Sequence, residues 1–176
     1  VVGGDGIQFA VQDPQSGTGH AVMQAQPVLN DFQGDIVILS GDVPLLRAPT
    51  LQRLLDEHRS KSADATVLST QAPNPAGYGR IIRDRQGQFV KIVEEREASD
   101  LEKSATEVNS GIYCFQSSEL FAMLSELKPD NSKGEYYLTD VIQILNARGK
   151  FVQAVDIADF WEVCGINTIA ELKAAE

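Results

Sequence analysis

The sequence predicts an α/β fold, with an open mixed sheet, mostly parallel, flanked by helices. Three observations predict it. Residues 35–42 (DIVILSGD) form an apolar run stopped by Gly41, which reads as a strand buried on both faces, as in a parallel sheet. Residues 49–61 (PTLQRLLDEHRSK) follow as an amphipathic helix with Leu51, Leu54 and Leu55 on one side, and ATVLST (65–70) then reads as the next strand. This strand–helix–strand rhythm marks a parallel sheet with covering helices. The 176 residues are 43% apolar and 23% charged, which suits one globular domain with a sizeable core.

The other elements follow in order. Val1 and Val2 read as the tail of a strand that begins upstream, so a fragment of a longer protein is expected. Residues 7–12 (IQFAVQ) are strand-like, 13–19 a polar turn, and 20–29 helical in composition. Residues 79–95 read as a hairpin turning at Arg85-Gln86-Gly87, and 106–115 as a further strand. Residues 117–127 read as a helix with Ser117 as N-cap and Glu119 in the first turn. A second helix over 136–149 ends at Gly149 as a left-handed cap. Residues 151–157 and the apolar WEVCGI (161–166) read as strands, and 168–175 as a last helix started by Asn167 or Thr168. There is no repeat, low-complexity tract or linker, so 1–176 is expected to be one domain, a parallel half followed by a mixed-sheet half. Ligands in such folds sit beyond the carboxyl ends of the strands.

A net charge of −10 argues against a surface built for nucleic acid or an acidic membrane. It leaves room for a small phosphorylated ligand held by a metal ion, backbone N–H groups and local cations. No apolar run approaches a membrane span of about 20 residues, and no cleavable signal pattern is present. Cys114 and Cys164 lie far apart in apolar contexts without a ligand-spaced partner, so both read as buried thiols in a reducing, cytoplasmic compartment.

Asp42, at an expected strand end, can reach a divalent cation or can serve as a turn residue before Pro44. The turn at 12–19 is neither GxGxxG nor a Walker loop, and no lysine follows it, so it is a weak phosphate cradle. It suits base recognition better, because Gln12, Gln15 and Thr18 offer groups that match a pyrimidine edge and glycine lets the backbone approach a ring. His20 reads as a structural hydrogen-bonder. In AGYGRI (76–81), Gly77 and Gly79 around Tyr78 can present a backbone N–H to a sugar, or form a plain loop. Glu94 and Asn109 can bind sugar hydroxyls or remain solvated strand residues, and Asn167 can be a helix cap.

Seven stretches in order carry a resemblance: SGTGHAV, LSGDVPLL, AGYGRIIRD, KIVEE, EVNSGIYCF, KGEYYLTDVI and VCGIN. Together they resemble the uridyltransferase domain of the bacterial bifunctional N-acetylglucosamine-1-phosphate uridyltransferase/glucosamine-1-phosphate acetyltransferases, over essentially the whole chain. The resemblance implies a Rossmann-like nucleotide-diphospho-sugar transferase fold. It also implies transfer of UMP from UTP to N-acetylglucosamine 1-phosphate, giving pyrophosphate and UDP-N-acetylglucosamine, a precursor of peptidoglycan and lipopolysaccharide. By the same resemblance, Asp42 and Asn167 hold Mg2+, and Gln12, Gly17 and Thr18 hold the uracil. The Gly79 backbone, Glu94 and Asn109 contact the sugar, and Tyr137 and Thr139 line the acetyl and phosphate end. Ser40 stands where relatives can carry tyrosine, two residues before Asp42, which leaves one sugar-side contact of the family unmatched but not the metal site.

The family's glycine-rich phosphate loop and its lysine do not occur in these residues, nor does a left-handed β-helix acetyltransferase domain. The 176 residues alone are therefore expected to be nearly inactive and marginal as a fold. A homotrimer is expected only at full length, because trimerisation resides in the β-helix half of the family. The competing readings are a non-catalytic nucleotide-sugar sensor of the same fold and, more remotely, a dehydrogenase with a variant Rossmann turn, which the lack of GxGxxG disfavours.

Overall fold

The computed structural model describes residues 6–29, 31–166, 168–169 and 172–173. Its centre is the longest strand. The run EVNSGIYCFQ alternates side chains between two faces, as the pleat requires, and forms β5 (Glu107–Gln116). Around it lie β1 (Asp35–Ile38), β2 (Ala65–Gln71), β3 (Arg80–Arg83), β4 (Phe89–Val93) and β6 (Val152–Ile157). The sheet runs β4-β3-β5-β2-β6, with β1 also paired to β5. The helices are α1 (Thr18–Met23), α2 (Gln26–Leu29), α3 (Ala48–Ser60), α4 (Asp100–Lys103), α5 (Ser117–Leu124) and α6 (Thr139–Ala147), with a 3-10 turn at Phe160–Val163.

The alternation along β2 and β5 sorts the core into two clusters. On one face Ala65, Val67, Tyr113 and Phe115 pack with Leu120 and Leu124 of α5 and Val141, Ile142 and Leu145 of α6. On the other, Leu68, Ile112, Cys114 and Val155 pack against Leu54 of α3. Both cysteines are buried and neither is in a disulfide.

The mixed α/β architecture matches the sequence expectation, but its pairing differs in balance. Among the described strands only β2–β6 is parallel; β1–β5, β2–β5, β3–β4 and β3–β5 are antiparallel. The run at 35–42 is a strand only over Asp35–Ile38, and every residue in it is half-buried instead of enclosed on both faces. The cause is its position at an edge, with β5 as its partner among the described residues.

Local corrections have similar causes. Residues 7–12 form no strand, and Phe9 and Val11 are 75% and 80% exposed, because no strand among the described residues pairs with them. The helix expected over 20–29 is two short pieces, α1 and α2. Ser117 is not an N-cap: Gln116 holds that position, while the Ser117 hydroxyl donates to the Phe32 carbonyl at 2.9 Å. Residues 161–166 are not a strand. Asp159 accepts from the Trp161 N–H at 3.1 Å and winds the chain into the 3-10 turn. A helix not anticipated, α4, has a capping box between Ser99 and Glu102, a signal present in the sequence as SDLE. The hairpin, α3 and the Gly149 cap at φ +70° agree with expectation. Within the expected last helix, the Leu172 N–H donates to the Thr168 carbonyl at 3.0 Å. No helix among the described residues is long and apolar enough to cross a membrane.

Candidate active site

The turn at 16–19 is fastened to the segment 135–138. Tyr136 N–H donates to the Ser16 carbonyl at 2.8 Å, and Gly19 N–H donates to the Tyr136 carbonyl at 2.8 Å. Thr18 Oγ1 accepts from Leu138 N–H at 3.0 Å. Residue 17 must be glycine here. Its φ is +101°, and a Cβ would lie 2.6 Å from the Tyr136 carbonyl oxygen. Gln12 Nε2 donates to the Gly17 carbonyl at 2.9 Å and lies 3.2 Å from His20 Nδ1. Gln24 Nε2 sits 3.1 Å from the other ring nitrogen, so His20 is held from both sides in a structural hydrogen-bond set. Gln12, Gln15, Gly17 and Thr18 then line one recess of about 430 Å³, together with Glu94, Lys133 and Tyr137.

The hairpin and β5 supply the adjoining wall. Asn109 N–H donates to the Gly79 carbonyl at 2.9 Å, stitching the AGYG loop to the sheet. A Cβ on Gly79 would lie 3.6 Å from Asn109 Cβ and 3.7 Å from Glu94 Oε2, so these three positions form one small cluster. Thr139 Oγ1 donates to Glu94 Oε1 at 3.0 Å. Asn109 Nδ2 donates to the Tyr113 hydroxyl at 2.7 Å, and its Oδ1 accepts from Gly111 N–H at 3.0 Å. Burial pushes the Glu94 carboxyl above its usual range, against the opposing effects of the Thr139 hydroxyl and Lys133. Burial likewise raises the Tyr113 phenol and, with Glu135, Glu94 and Glu97 adding to it, the Tyr137 phenol.

Asp42 lies exposed in the turn after β1 and lines a second recess, of about 380 Å³, with Ser40, Gly77, Tyr78, Gly79, Asn109 and Gly111. Its carbonyl accepts from Ile166 N–H at 2.8 Å. The other expected metal ligand, Asn167, lies outside the described residues. Ser40 donates its hydroxyl to the Gly111 carbonyl at 3.2 Å, and a Cβ on Gly111 would lie 2.7 Å from that hydroxyl. A small residue at 40 thus serves backbone closure. Asn109 also lines a groove of about 560 Å³ with Thr18, Glu94 and Thr139. Thr18, Glu94, Asn109 and Thr139 thus share one groove, which adjoins the recess of Gln12, Gln15, Gly17 and Tyr137 through Thr18 and Glu94 and the recess of Asp42 and Gly79 through Asn109. Sequence reasoning missed Lys133 and Glu95 at this rim and the buried Arg80 behind it; Glu95 was legible only as the second of two adjacent glutamates.

A model of the nucleotidyl transferase family matches residues 4–168. The chain belongs to the nucleotidyl transferase family. Among its relatives, the bifunctional protein GlmU of Enterococcus faecalis is 48% identical over 172 residues, covering 98% of this chain and 38% of that protein. The GlmU of a Geobacillus species is 46% identical over 173 residues with the same two coverages. This nucleotidyl transferase chain thus spans about 38% of the length of those two relatives. A crystal structure of UDP-glucose pyrophosphorylase complexed with UDP-glucose superposes with a TM-score of 0.67 at 17% identity, covering 84% of this chain and 56% of that one, a likeness of fold.

Proposed function

We propose that the protein carrying this chain transfers UMP from UTP to N-acetylglucosamine 1-phosphate. One observation carries the reading. The residues expected to touch base and sugar, remote along the chain, line recesses linked through one groove, which shares Thr18 and Glu94 with the recess around Gln12 and Gly17 and shares Asn109 with the recess around Asp42 and Gly79. A phosphate oxygen of the sugar 1-phosphate attacks the α-phosphorus of UTP. The bond from that phosphorus to the bridging oxygen breaks, and pyrophosphate leaves. Such a transfer depends on positioning and charge neutralisation more than on covalent chemistry. Gln12, Gln15, Gly17 and Thr18 orient the uracil. Glu94, Asn109 and the Gly79 backbone orient the sugar, with Tyr137 and Thr139 closing the acetyl and phosphate end.

The donor chemistry suits magnesium. Asp42 offers a hard carboxylate at the exposed rim, and its backbone is bonded to Ile166, the covalent neighbour of Asn167 with its carboxamide oxygen. Among the described residues no group of three or more His, Cys, Asp or Glu could enclose a metal, and magnesium characteristically takes one or two protein oxygens and completes its shell with water and phosphate. When bound, Mg2+ would neutralise phosphate charge.

The test is pyrophosphate release from UTP and N-acetylglucosamine 1-phosphate by the full-length protein, with and without magnesium. Magnesium-dependent release is expected. Asp42→Ala should lower turnover by about 10²–10³-fold, the scale for losing one charge-stabilising group, while leaving the fold largely intact by circular dichroism. Binding of both substrates without release, or an active Asp42→Ala, would overturn the reading.

A further inference from the structure

A buried cation stands behind the sugar-side wall. Arg80 is 2% exposed, although it directly follows the AGYG loop. Its Nη2 lies 2.6 Å from Glu95 Oε2, and its Nη1 donates to the Tyr78 carbonyl. The same Glu95 oxygen accepts from Gly77 N–H at 3.3 Å. One ion pair therefore grips the loop at residues 77, 78 and 80. On its far side the loop is held by the Tyr78 hydroxyl, 3.6 Å from Cys164 Sγ, and by an edge-on contact between the Tyr78 and Phe160 rings at 5.8 Å.

Stability alone is a poor account of this pair. Desolvating a guanidinium is costly, and the carboxylate that repays it is itself 32% exposed, so solvent screens the attraction. Here Arg80 Nε is buried and has no hydrogen-bond partner among the described residues, so the pair is not even fully satisfied. What it does secure is geometry. Glu95 is the immediate neighbour of Glu94, and the two carboxylates part company: Glu94 takes the Thr139 hydroxyl, Glu95 takes Arg80. Fixing Glu95 thereby fixes both the loop that ends at Gly79 and the backbone that carries Glu94.

We propose that Arg80 and Glu95 are positioning residues that hold the Gly79 backbone and Glu94 at the separation a sugar 1-phosphate needs. This rests on the reading that Gly79 and Glu94 face the sugar. Neither residue is required to touch the reacting atoms.

The test uses the full-length protein with Glu95→Gln, Arg80→Lys, Arg80→Met and the Arg80→Met/Glu95→Gln double variant. Glu95→Gln is the mild member, because it keeps shape and removes only charge. KM for the sugar 1-phosphate should rise about tenfold in Glu95→Gln and Arg80→Met, a loss of binding without an equal loss of kcat. KM for UTP should stay within about twofold. Calorimetric titration with N-acetylglucosamine 1-phosphate should show the same order. Arg80→Lys, which can pair with Glu95 but cannot also reach the Tyr78 carbonyl in the fork geometry, should recover part of the loss. The double variant should be no worse than the worse single one, since both remove the same contact. A purely structural pair would lower melting temperature and shift both KM values together, and that result overturns the proposal. So does an active parent whose Glu95→Gln variant has unchanged KM values. A parent that neither binds the sugar phosphate nor releases pyrophosphate overturns the uridyltransfer reading and this one with it.

Discussion

At the scale of single residues, the Tyr136 carbonyl and the Glu94 carboxyl explain most of the rim. The carbonyl leaves no space for a side chain at position 17 and ties the turn at 16–19 to the segment carrying Tyr137 and Thr139. Glu94 is held in a site whose burial disfavours its charge. Its folded-state pKa is raised, so between the unfolded value of 4.5 and the folded one the native state binds more protons. Stability therefore falls as pH rises through that window and is level above it. Glu94→Gln, which keeps an acceptor for Thr139, should melt close to the parent at the acid end and above it at pH 8. The check is the difference between the two melting temperatures across pH. A variant that is less stable than the parent at pH 8 would contradict the sign. The same variant should lose sugar-phosphate binding, so the carboxylate would be kept for its ligand at a cost to the fold.

At the scale of elements, α3 shows how a helix is pinned to the sheet by one imidazole. His58 is 1% exposed; its Nδ1 lies 2.9 Å from Thr66 Oγ1, and its Nε2 lies 3.6 Å from Asp35 Oδ1. Burial lowers its pKa below 6.5, with Arg59 assisting and Asp35 and Asp64 opposing. The unfolded chain then binds the proton more readily than the native one. This stabilisation is complete above pH 6.5 and is lost as pH falls towards the folded value. Urea midpoints measured from pH 8 down to pH 5 should fall for the parent and fall less steeply for His58→Gln. Parallel curves would remove this role.

The same scale shows how far the sequence could be read. The period of α3, the turn chemistry of the β3–β4 hairpin and the alternation of β5 are local signals, and each became the expected element. The extent of β1 and the state of 7–12 depend on what lies alongside them, and apolar composition alone carries no information about partners. WEVCGI misled for a related reason: Val163 and Cys164 pack inward at the end of a 3-10 turn while Trp161 stays exposed, and a short apolar run does not distinguish that from a strand. Of the candidate site, the glycine turn, Asp42, Glu94 and Asn109 were named through the resemblance. The Arg80–Glu95 pair was not, because an exposed arginine and a buried one look the same in a sequence.

At the scale of the whole molecule, one sheet separates two apolar clusters, and the rim between β1, β3 and β5 gathers the polar groups. β5 belongs to both systems. Phe115 and Cys114 face opposite clusters, while Asn109, six residues before Phe115, reaches the site. The rigid core thus fixes the β5 part of the site's wall directly, and the shorter hairpin β3–β4, stitched to it where Asn109 N–H meets the Gly79 carbonyl, completes it.

The half-buried edge of β1 has a consequence outside catalysis. Its outward backbone groups face no strand among the described residues, and Ile36, Ile38 and the 50% exposed Leu39 line an apolar trough beside it. Such an edge is a template for ladder formation between molecules. Solutions of the 176-residue polypeptide should therefore sediment with rising average mass as concentration increases, and Leu39→Lys should shift that onset to higher concentration. A constant monomer mass up to millimolar protein would remove this role for the edge.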